Sequence, residues 1–252
     1  MPSLLAIPFS PWSEKARWAL DARHVRYSYR HYMPLLGEPM LRLKLRKWSG
    51  PVTVPVLIDD DGRTFADSAD IARWADGRGE GPVLFPAAHE RELARFVEMS
   101  ERGLAAGRGL SLRRVEKDEE ALGEMIPKNL RKPLGRLGVH VGAFGIRRTL
   151  RKYGASSVAV DAQERALVAV LEELRASLPS TPVPGEPKTL LGTFTFADVA
   201  MAQVLAFVEP PKFGLRIGPA NRRSFGDPKL AARFADLVQW RDALYEKYRP
   251  RA

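Results

Sequence analysis

Ser10-Pro11-Trp12-Ser13 stands between a short apolar run, residues 4–7, and a helical pattern, residues 14–20. A strand, a turn and a helix in this order are the setting of Cys-x-x-Cys redox motifs, whose two sulfurs would lie at Ser10 and Ser13. Because hydroxyls replace both sulfurs, the motif cannot form the mixed disulfide that thiol–disulfide exchange needs. The stretch therefore predicts a site that holds a thiol belonging to another molecule.

Composition narrows the function classes further. The chain has 252 residues, 45% of them apolar, and no cysteine, which excludes disulfides, cysteine nucleophiles and thiolate metal sites. Its four histidines are scattered, so no metal site is predicted. No apolar run approaches the length of a membrane span, and the apolar residues 4–9 are too few for a signal peptide. We therefore expect a cytoplasmic, globular protein.

Positive charge is concentrated in one basic segment, residues 125–160. The formal net charge of the chain is +10, and this segment holds eight basic residues and no acidic one: Lys128, Arg131, Lys132, Arg136, Arg147, Arg148, Arg151 and Lys152. Basic residues interleaved with apolar ones suit an acidic membrane surface or an acidic protein partner. They also suit the solvated face of ordinary helices, which is the simpler interpretation. Nucleic-acid binding ranks lower, because no nucleic-acid reader motif is present.

The order of elements predicts two domains. Residues 1–77 alternate between strand and helix patterns, in the order β-α-β-α-β-β-α. Residues 78–87 contain glycines and prolines and predict a linker. Residues 88–252 predict helices only, and glycines at 103, 107 and 109 are expected to weaken or interrupt the first of them. The fold class is therefore an α/β domain followed by an all-α domain.

Three helix starts carry recognisable signals. Ser13 is a plausible N-cap for a helix over residues 13–23. Asp67-Ser68 opens another helix, whose first N–H groups could receive a carboxylate. Thr195-Phe196-Ala197-Asp198 resembles a capping box, which we expect to serve folding only.

Pro55 interrupts the strand-like run of residues 54–58, where a proline removes a donor from the strand ladder. A cis Val54–Pro55 bond would explain a proline at this place. An edge strand is the other interpretation.

Taken together, these features resemble the glutathione transferase superfamily. The resemblance rests on Ser10-Pro11-Trp12-Ser13, Val54-Pro55, Asp67-Ser68 and the pair of Thr195 with Asp198. It implies a thioredoxin-like domain over residues 1–77, an all-helical domain over residues 88–252 and a homodimer. It also implies glutathione as co-substrate, together with a small electrophile, and no metal.

The resemblance implies a role for each motif residue. Ser10 matches the catalytic hydroxyl of serine-type classes, which stabilises the glutathione thiolate, whereas Ser13 matches a position that is usually non-catalytic. The glutathione-binding positions are Val54, Pro55 (cis in the family), Asp67 and Ser68, with Lys47 or Lys44 for the glycyl carboxylate. The co-substrate pocket would be lined by Phe9, Trp12 and Tyr32.

Two functions follow as alternatives. The first is an enzyme in which a glutathione thiolate attacks an electrophilic apolar co-substrate; glutathione-dependent isomerisation or dehalogenation belongs to the same class. The second is a non-catalytic adaptor with the same fold, which docks on an acidic membrane or protein through the basic segment. Binding of glutathione discriminates between the two.

Overall fold

The computed structural model describes residues 1–33, 37–126, 128–180 and 185–251. The strands come first: β1 (Ser3–Ala6), β2 (Ser28–His31), β3 (Val56–Ile58) and β4 (Thr64–Phe65). Among them lie the helices α1 (Pro11–Ala22), α2 (Glu38–Leu45) and α3 (Ser68–Asp76). The helices that follow are α4 (Glu90–Glu116), α5 (Glu119–Glu124), α6 (Lys128–Lys152), α7 (Val160–Ser177), α8 (Phe196–Val204), α9 (Pro219–Phe225), α10 (Pro228–Arg233) and α11 (Ala235–Tyr248).

The four strands form one mixed sheet in the order β2-β1-β3-β4. Strand β1 pairs parallel with β2 and antiparallel with β3, so that Leu4 lies opposite both Tyr29 and Leu57. Leu4 and Leu57 are fully buried together with Ile71 of α3 and Leu20 of α1. The predicted fold class, an α/β part followed by helices, is confirmed. The domain limits, with a linker over residues 78–87, stay a prediction.

Helix α1 begins earlier than its predicted cap. Ser10, not Ser13, is the N-cap, and Pro11 takes the first helical position. Proline suits that position because its missing N–H would have no partner within the helix. Ser13 is fully buried inside the helix, and its Oγ accepts a hydrogen bond from the amide of Ile7 at 3.1 Å. The prediction that Ser13 caps the helix is therefore wrong; its hydroxyl ties the end of β1 to α1.

Helix α4 runs for 27 residues without the interruption that its glycines predicted. Those glycines allow neighbouring helices to approach closely. A Cβ at Gly103 would lie 2.7 Å from a methyl of Val204, and a Cβ at Gly107 would lie 2.5 Å from the ring of Phe207. A Cβ at Gly109 would meet the side chain of Gln163. Tertiary packing thus outweighs the low helix propensity of glycine at these positions.

Replacing Gly107 with alanine is expected to lower the free energy of unfolding by about 1–3 kcal/mol, because the added methyl overlaps Phe207 in a packed core. Urea denaturation followed by circular dichroism measures it. Gly123→Ala is the matched control: a Cβ there has no neighbour within 4 Å, and stability should stay level or rise by up to about 1 kcal/mol. Equal effects of the two substitutions would contradict this account of α4.

The predicted linker packs against the sheet domain. Arg23, directly after α1, donates to the carbonyls of Gly79 and Gly81. The carboxylate of Asp76 accepts the amides of Leu84 at 2.8 Å and Phe85 at 3.0 Å. These contacts fix the path of the chain between α3 and α4.

The C-terminal helix α11 contacts α1 through a few side chains. The indole of Trp18 donates to the carbonyl of Tyr248 at 2.9 Å. Just beyond α11, Arg249 pairs with Glu14 at 2.7 Å and with Asp21 at 2.6 Å. Glu14 is fully buried and also pairs with the neighbouring Arg17, so that two arginines offset the cost of burying its carboxylate.

Helix α8 starts with the predicted capping box, which is confirmed. Thr195 and Asp198 are both fully buried. The carboxylate of Asp198 accepts the amide of Thr195 at 2.9 Å and the amide of Leu190 at 2.8 Å. Burial raises the pKa of Asp198 to about 7, against the opposing effect of these hydrogen bonds.

The basic segment forms most of α6, which is kinked. Pro133 lies inside the helix and removes one backbone donor, and Gly135 follows with φ 47° and ψ −128°. A positive φ of this kind is accessible to glycine at little cost. The part of α6 beyond the kink packs against α4 and α5. None of the helices in the described ranges is both long and apolar enough to cross a membrane.

Candidate functional site

A cavity of about 1280 Å³ opens between the sheet domain and helices α4 and α6. Eight of the residues singled out from the sequence line it: Phe9, Ser10, Trp12, Tyr32, Val54, Pro55, Asp67 and Ser68. The fold thus brings together the turn before α1, the segment before β3 and the start of α3. Lys44 and Lys47 are exposed and do not line this cavity.

Ser10 stands at the positive end of α1. Its Oγ lies 3.5 Å from the amide of Ser13, from which it accepts a long N-cap hydrogen bond. A hydroxyl that accepts in this way can still donate its own hydrogen. The N-terminus of a helix adds a partial positive charge, which stabilises an anion placed beside Ser10.

Val54 lines the cavity just before β3. The Val54–Pro55 peptide bond is cis, as predicted. Strand β3 begins only at Val56, so Pro55 precedes the strand and does not interrupt it. None of the backbone hydrogen bonds among the described residues involves Val54. An extended ligand could therefore pair with Val54 as an added strand does.

Asp67 and Ser68 form a polar corner of the cavity. Asp67 is the N-cap of α3, and its Oδ1 accepts the amide of Ala69 at 2.7 Å. Ser68 is 2% exposed, and its Oγ has no hydrogen-bond partner in the described part of the chain. A buried hydroxyl without a partner costs free energy, and a ligand carboxylate at the helix N-terminus would supply that partner.

Aromatic side chains line the cavity beside Ser10. The indole of Trp12 donates to Glu101 of α4 at 2.7 Å, which fixes the orientation of the ring. Glu101 also pairs with the buried Lys15 at 2.5 Å. Burial, reinforced by the charge of Glu38, raises the pKa of Tyr32 to about 12. The Tyr32 hydroxyl therefore stays protonated at neutral pH and acts as a donor, not as a base.

Helix α6 lines the cavity and contacts α2 and the segment before β3. Arg148 pairs with Glu38 of α2 at 3.0 Å, and Lys152 donates to the carbonyl of Val52 at 2.6 Å. The hydrogen bond from Arg42, together with that from Arg148, holds the pKa of Glu38 below its usual value. Part of the basic segment thus belongs to the site, whereas Lys132, Arg136, Arg147 and Arg151 are exposed on its outer surface.

The sequence did not point to Arg148 or Lys152 as site residues. Their partners lie 110 and 100 residues away along the chain, and no local motif connects them. The concentration of basic residues toward the end of α6 was the one available signal. Across the described ranges, no three histidine, aspartate or glutamate side chains meet in a way that could hold a metal ion.

Comparison with known proteins identifies relatives of the N-terminal part of the chain. Residues 9–78 match the glutathione S-transferase N-terminal domain family. Over 96 residues the chain is 34% identical to a probable glutathione S-transferase of Nicotiana tabacum, a stretch that covers 37% of this chain and 40% of the tobacco protein. The chain therefore matches about two fifths of the length of this relative.

Solved structures extend the likeness to the whole chain. The glutathione S-transferase of Ceriporiopsis subvermispora in complex with glutathione superposes with a TM-score of 0.64 at 19% identity, covering 100% of this chain and 98% of that protein. A glutathione S-transferase of Methylobacillus flagellatus with glutathione bound gives a TM-score of 0.60 at 15% identity, covering 98% of this chain and 96% of that one. At such identities these likenesses concern the fold. Residues 9–78 thus belong to the glutathione S-transferase N-terminal domain family, and the chain as a whole has the fold of glutathione S-transferases.

Proposed function

We propose that the protein is a glutathione transferase in which Ser10 stabilises the thiolate of bound glutathione for attack on an electrophilic apolar co-substrate. One observation carries the proposal: a single cavity joins Ser10 to Val54, Asp67 and Ser68. The glutathione-bound relatives of the same fold support this choice of ligand.

In the proposed complex, each of the three parts of glutathione contacts a different set of residues that line the cavity. The cysteinyl backbone pairs with Val54 beside Pro55. The γ-glutamyl carboxylate lies at the start of α3, where Ser68 donates its hydroxyl and Asp67 faces the amino group. The sequence predicts Lys47 or Lys44 for the glycyl carboxylate, but neither lines the cavity, whereas Lys152 lines it and donates to the carbonyl of Val52 at 2.6 Å. We therefore propose Lys152 for that carboxylate.

The chemistry requires a thiolate at neutral pH. A cysteine thiol has an ordinary pKa of about 8.5, so the thiol form dominates near pH 7. A hydrogen bond from Ser10 and the dipole of α1 both favour the anion. With an activated aryl halide, the sulfur electron pair forms a C–S bond, the C–halogen bond breaks, halide leaves and the thiol proton goes to solvent. The rest of the rate acceleration comes from holding the two substrates in position and from removing water around the thiolate.

Titration with reduced glutathione tests the binding step. We expect saturable binding by calorimetry with a Kd of about 1 µM to 1 mM, and a rise in Tm that follows ligand concentration. Cysteinylglycine, which lacks the γ-glutamyl group, is the matched control and should bind more weakly because it leaves Ser68 without a partner. Absence of both heat and thermal shift with glutathione would contradict the proposal.

The adaptor function is the second candidate. It is favoured by the outer face of α6, where Leu137 is 61% and Phe144 55% exposed near Arg136 and Arg147. Failure to bind glutathione, together with salt-sensitive retention on acidic lipid vesicles, would select it. The homodimer implied by the resemblance stays a prediction in either case.

A further inference from the structure

Arg108 of α4 is a cation held between two aromatic rings at the cavity wall. Its guanidinium carbon lies 3.7 Å from the ring centroid of Tyr153 and 4.6 Å from that of Trp12. Both distances are within the range of cation–π contact. The N–H donors of a guanidinium lie along the edge of its plane, and this edge is the part that can bind a ligand. Trp12, one of the two rings, lies two residues from Ser10.

No carboxylate in the described part of the chain forms a direct ion pair with the guanidinium of Arg108, and the charge of Glu101 acts on it only at longer range. No ion pair or side-chain hydrogen bond joins it to a described residue, and its Nε is buried without a partner. Glu101, two turns earlier on the same helix, already accepts from Trp12 and Lys15 through its two oxygens. Burial lowers the pKa of Arg108, yet arginine remains charged at neutral pH. A half-buried cation of this kind is costly unless an anion joins it.

Other cations along the same cavity have protein partners. Arg148 pairs with Glu38, and Lys152 donates to the carbonyl of Val52. Arg131 donates to the carbonyls of Ile126 and Glu124. Arg216 is exposed, so water can solvate it. Arg108 differs from these residues because it combines burial with the absence of an acceptor among the described residues.

The cavity also has room and apolar surface for a second molecule. Its volume, about 1280 Å³, exceeds the range of roughly 300–1,000 Å³ that is usual for a single small ligand. Leu112, Met125 and Ile146 line it together with Arg108. An acceptor for Arg108 would therefore sit on a molecule that has an apolar body.

We propose that the co-substrate is an apolar or aromatic carboxylic acid, and that Arg108 binds its carboxylate edge-on between Trp12 and Tyr153. Arginine suits this role because its planar N–H donors match the two oxygens of a carboxylate. The inference rests on the proposed transferase function and narrows it: the electrophile is an organic anion, not a neutral molecule.

Direct binding tests the assignment without any chemistry. The probes are 2-naphthoate and the neutral 2-naphthamide, titrated by calorimetry in the absence of glutathione. We expect the protein to bind naphthoate about 10–100-fold more tightly than the amide, as hydrogen bonds to a charged group allow. Arg108→Gln should reduce the ratio to near one. Arg102→Gln removes an equal charge from an exposed position on the same helix and should leave the ratio unchanged.

Kinetics extend the test to the reaction. The paired electrophiles are 4-chloro-3-nitrobenzoate and its amide, and each rate is divided by the uncatalysed rate with glutathione. Arg108→Gln should lower kcat/KM for the acid by about 10–100-fold, with little change for the amide or in the KM for glutathione. Arg108→Lys keeps the charge and should restore part of the loss, which separates recognition from a folding defect.

Each result decides between the alternatives. Equal binding of naphthoate and naphthamide to the unmodified protein would overturn the proposal. A large rise in the KM for glutathione in Arg108→Gln, with the acid preference intact, would also overturn it and assign Arg108 to a glutathione carboxylate. Naphthoate preference without any conjugation would uphold Arg108 as the anion site while the transferase function failed.

Discussion

Ser10→Ala should lower kcat for conjugation by about 100-fold, the usual effect of removing one hydrogen bond to a developing anion, while the KM for glutathione stays close to its original value. The reason is that the Ser10 hydroxyl donates to the sulfur only after the thiol has lost its proton. The tripeptide itself is held elsewhere, by Val54 and the start of α3. The substitution therefore removes an interaction with the reactive anion and leaves ground-state binding in place.

The pKa of the bound thiol is the direct measurement. The pH dependence of kcat/KM, and the ultraviolet absorbance of the thiolate, should both move to higher pH in Ser10→Ala. A tenfold loss of thiolate corresponds to about 1.4 kcal/mol. Ser10→Thr keeps a hydroxyl and should recover activity. Ser13→Ala is the matched control: its hydroxyl accepts from Ile7 inside the fold, so it should affect stability and leave the thiol pKa alone. Full activity in Ser10→Ala would disprove the assignment.

Asp198→Ala should lower the free energy of unfolding by about 3 kcal/mol or more, since it leaves several buried donors without an acceptor. The carboxylate accepts the amides of Leu190 and Thr195 and the hydroxyl of Thr195. These three hydrogen bonds lie at the start of α8, within the core of the helical part. Urea denaturation measures the loss. Asp118→Ala removes an N-cap of α5 that is only half-buried and should cost about 1 kcal/mol.

The cost of Asp198→Ala should also depend on pH. Because burial raises the pKa of Asp198 to about 7, the folded chain holds this proton more tightly than the unfolded chain does. The stability that the protonated group contributes is complete below the unfolded pKa of about 4 and is lost as the pH rises through 7. The difference between the unmodified protein and Asp198→Ala should therefore be smaller at pH 8 than at pH 5. A difference independent of pH would contradict the raised pKa.

Short-range signals in the sequence make the sheet domain and the local motifs at its turns and helix starts predictable. A proline before a buried strand, an Asp-Ser helix start and a capping box act over one to four residues, so they can be read from local sequence. The start of α1 was misplaced for a reason visible in the sequence: Pro11 favours the first helical position, which makes Ser10 the cap. The resemblance to glutathione transferases then assigns these separate motifs to one ligand, glutathione.

Long-range contacts set the limit of prediction from the sequence. The environment of Arg108 is set by its contacts with Trp12 and Tyr153, which lie far from it in the sequence. No spacing rule connects the three residues. The low helix propensity of glycine predicts an interruption of α4, whereas the role of these glycines is to pack closely against Val204 and Phe207. Positive charge and nearness to residue 54 favour Lys44 and Lys47 as ligands of a carboxylate, but both lie outside the cavity. Charge alone does not reveal which cation a cavity will include.

The contact between Arg249 and helix α1 has a consequence for synthesis of the protein. Arg249 meets Glu14 across 235 residues of sequence, so on the ribosome the helix that carries Ser10 emerges long before the partner of its buried carboxylate. A nascent chain cannot bury Glu14 against Arg249 until translation has passed that position. A product that stops short of it would leave the buried Glu14 with Arg17 as its remaining ion-pair partner. Helix α1, which Ser10 caps, thus reaches its final packing only after residue 249 has left the ribosome.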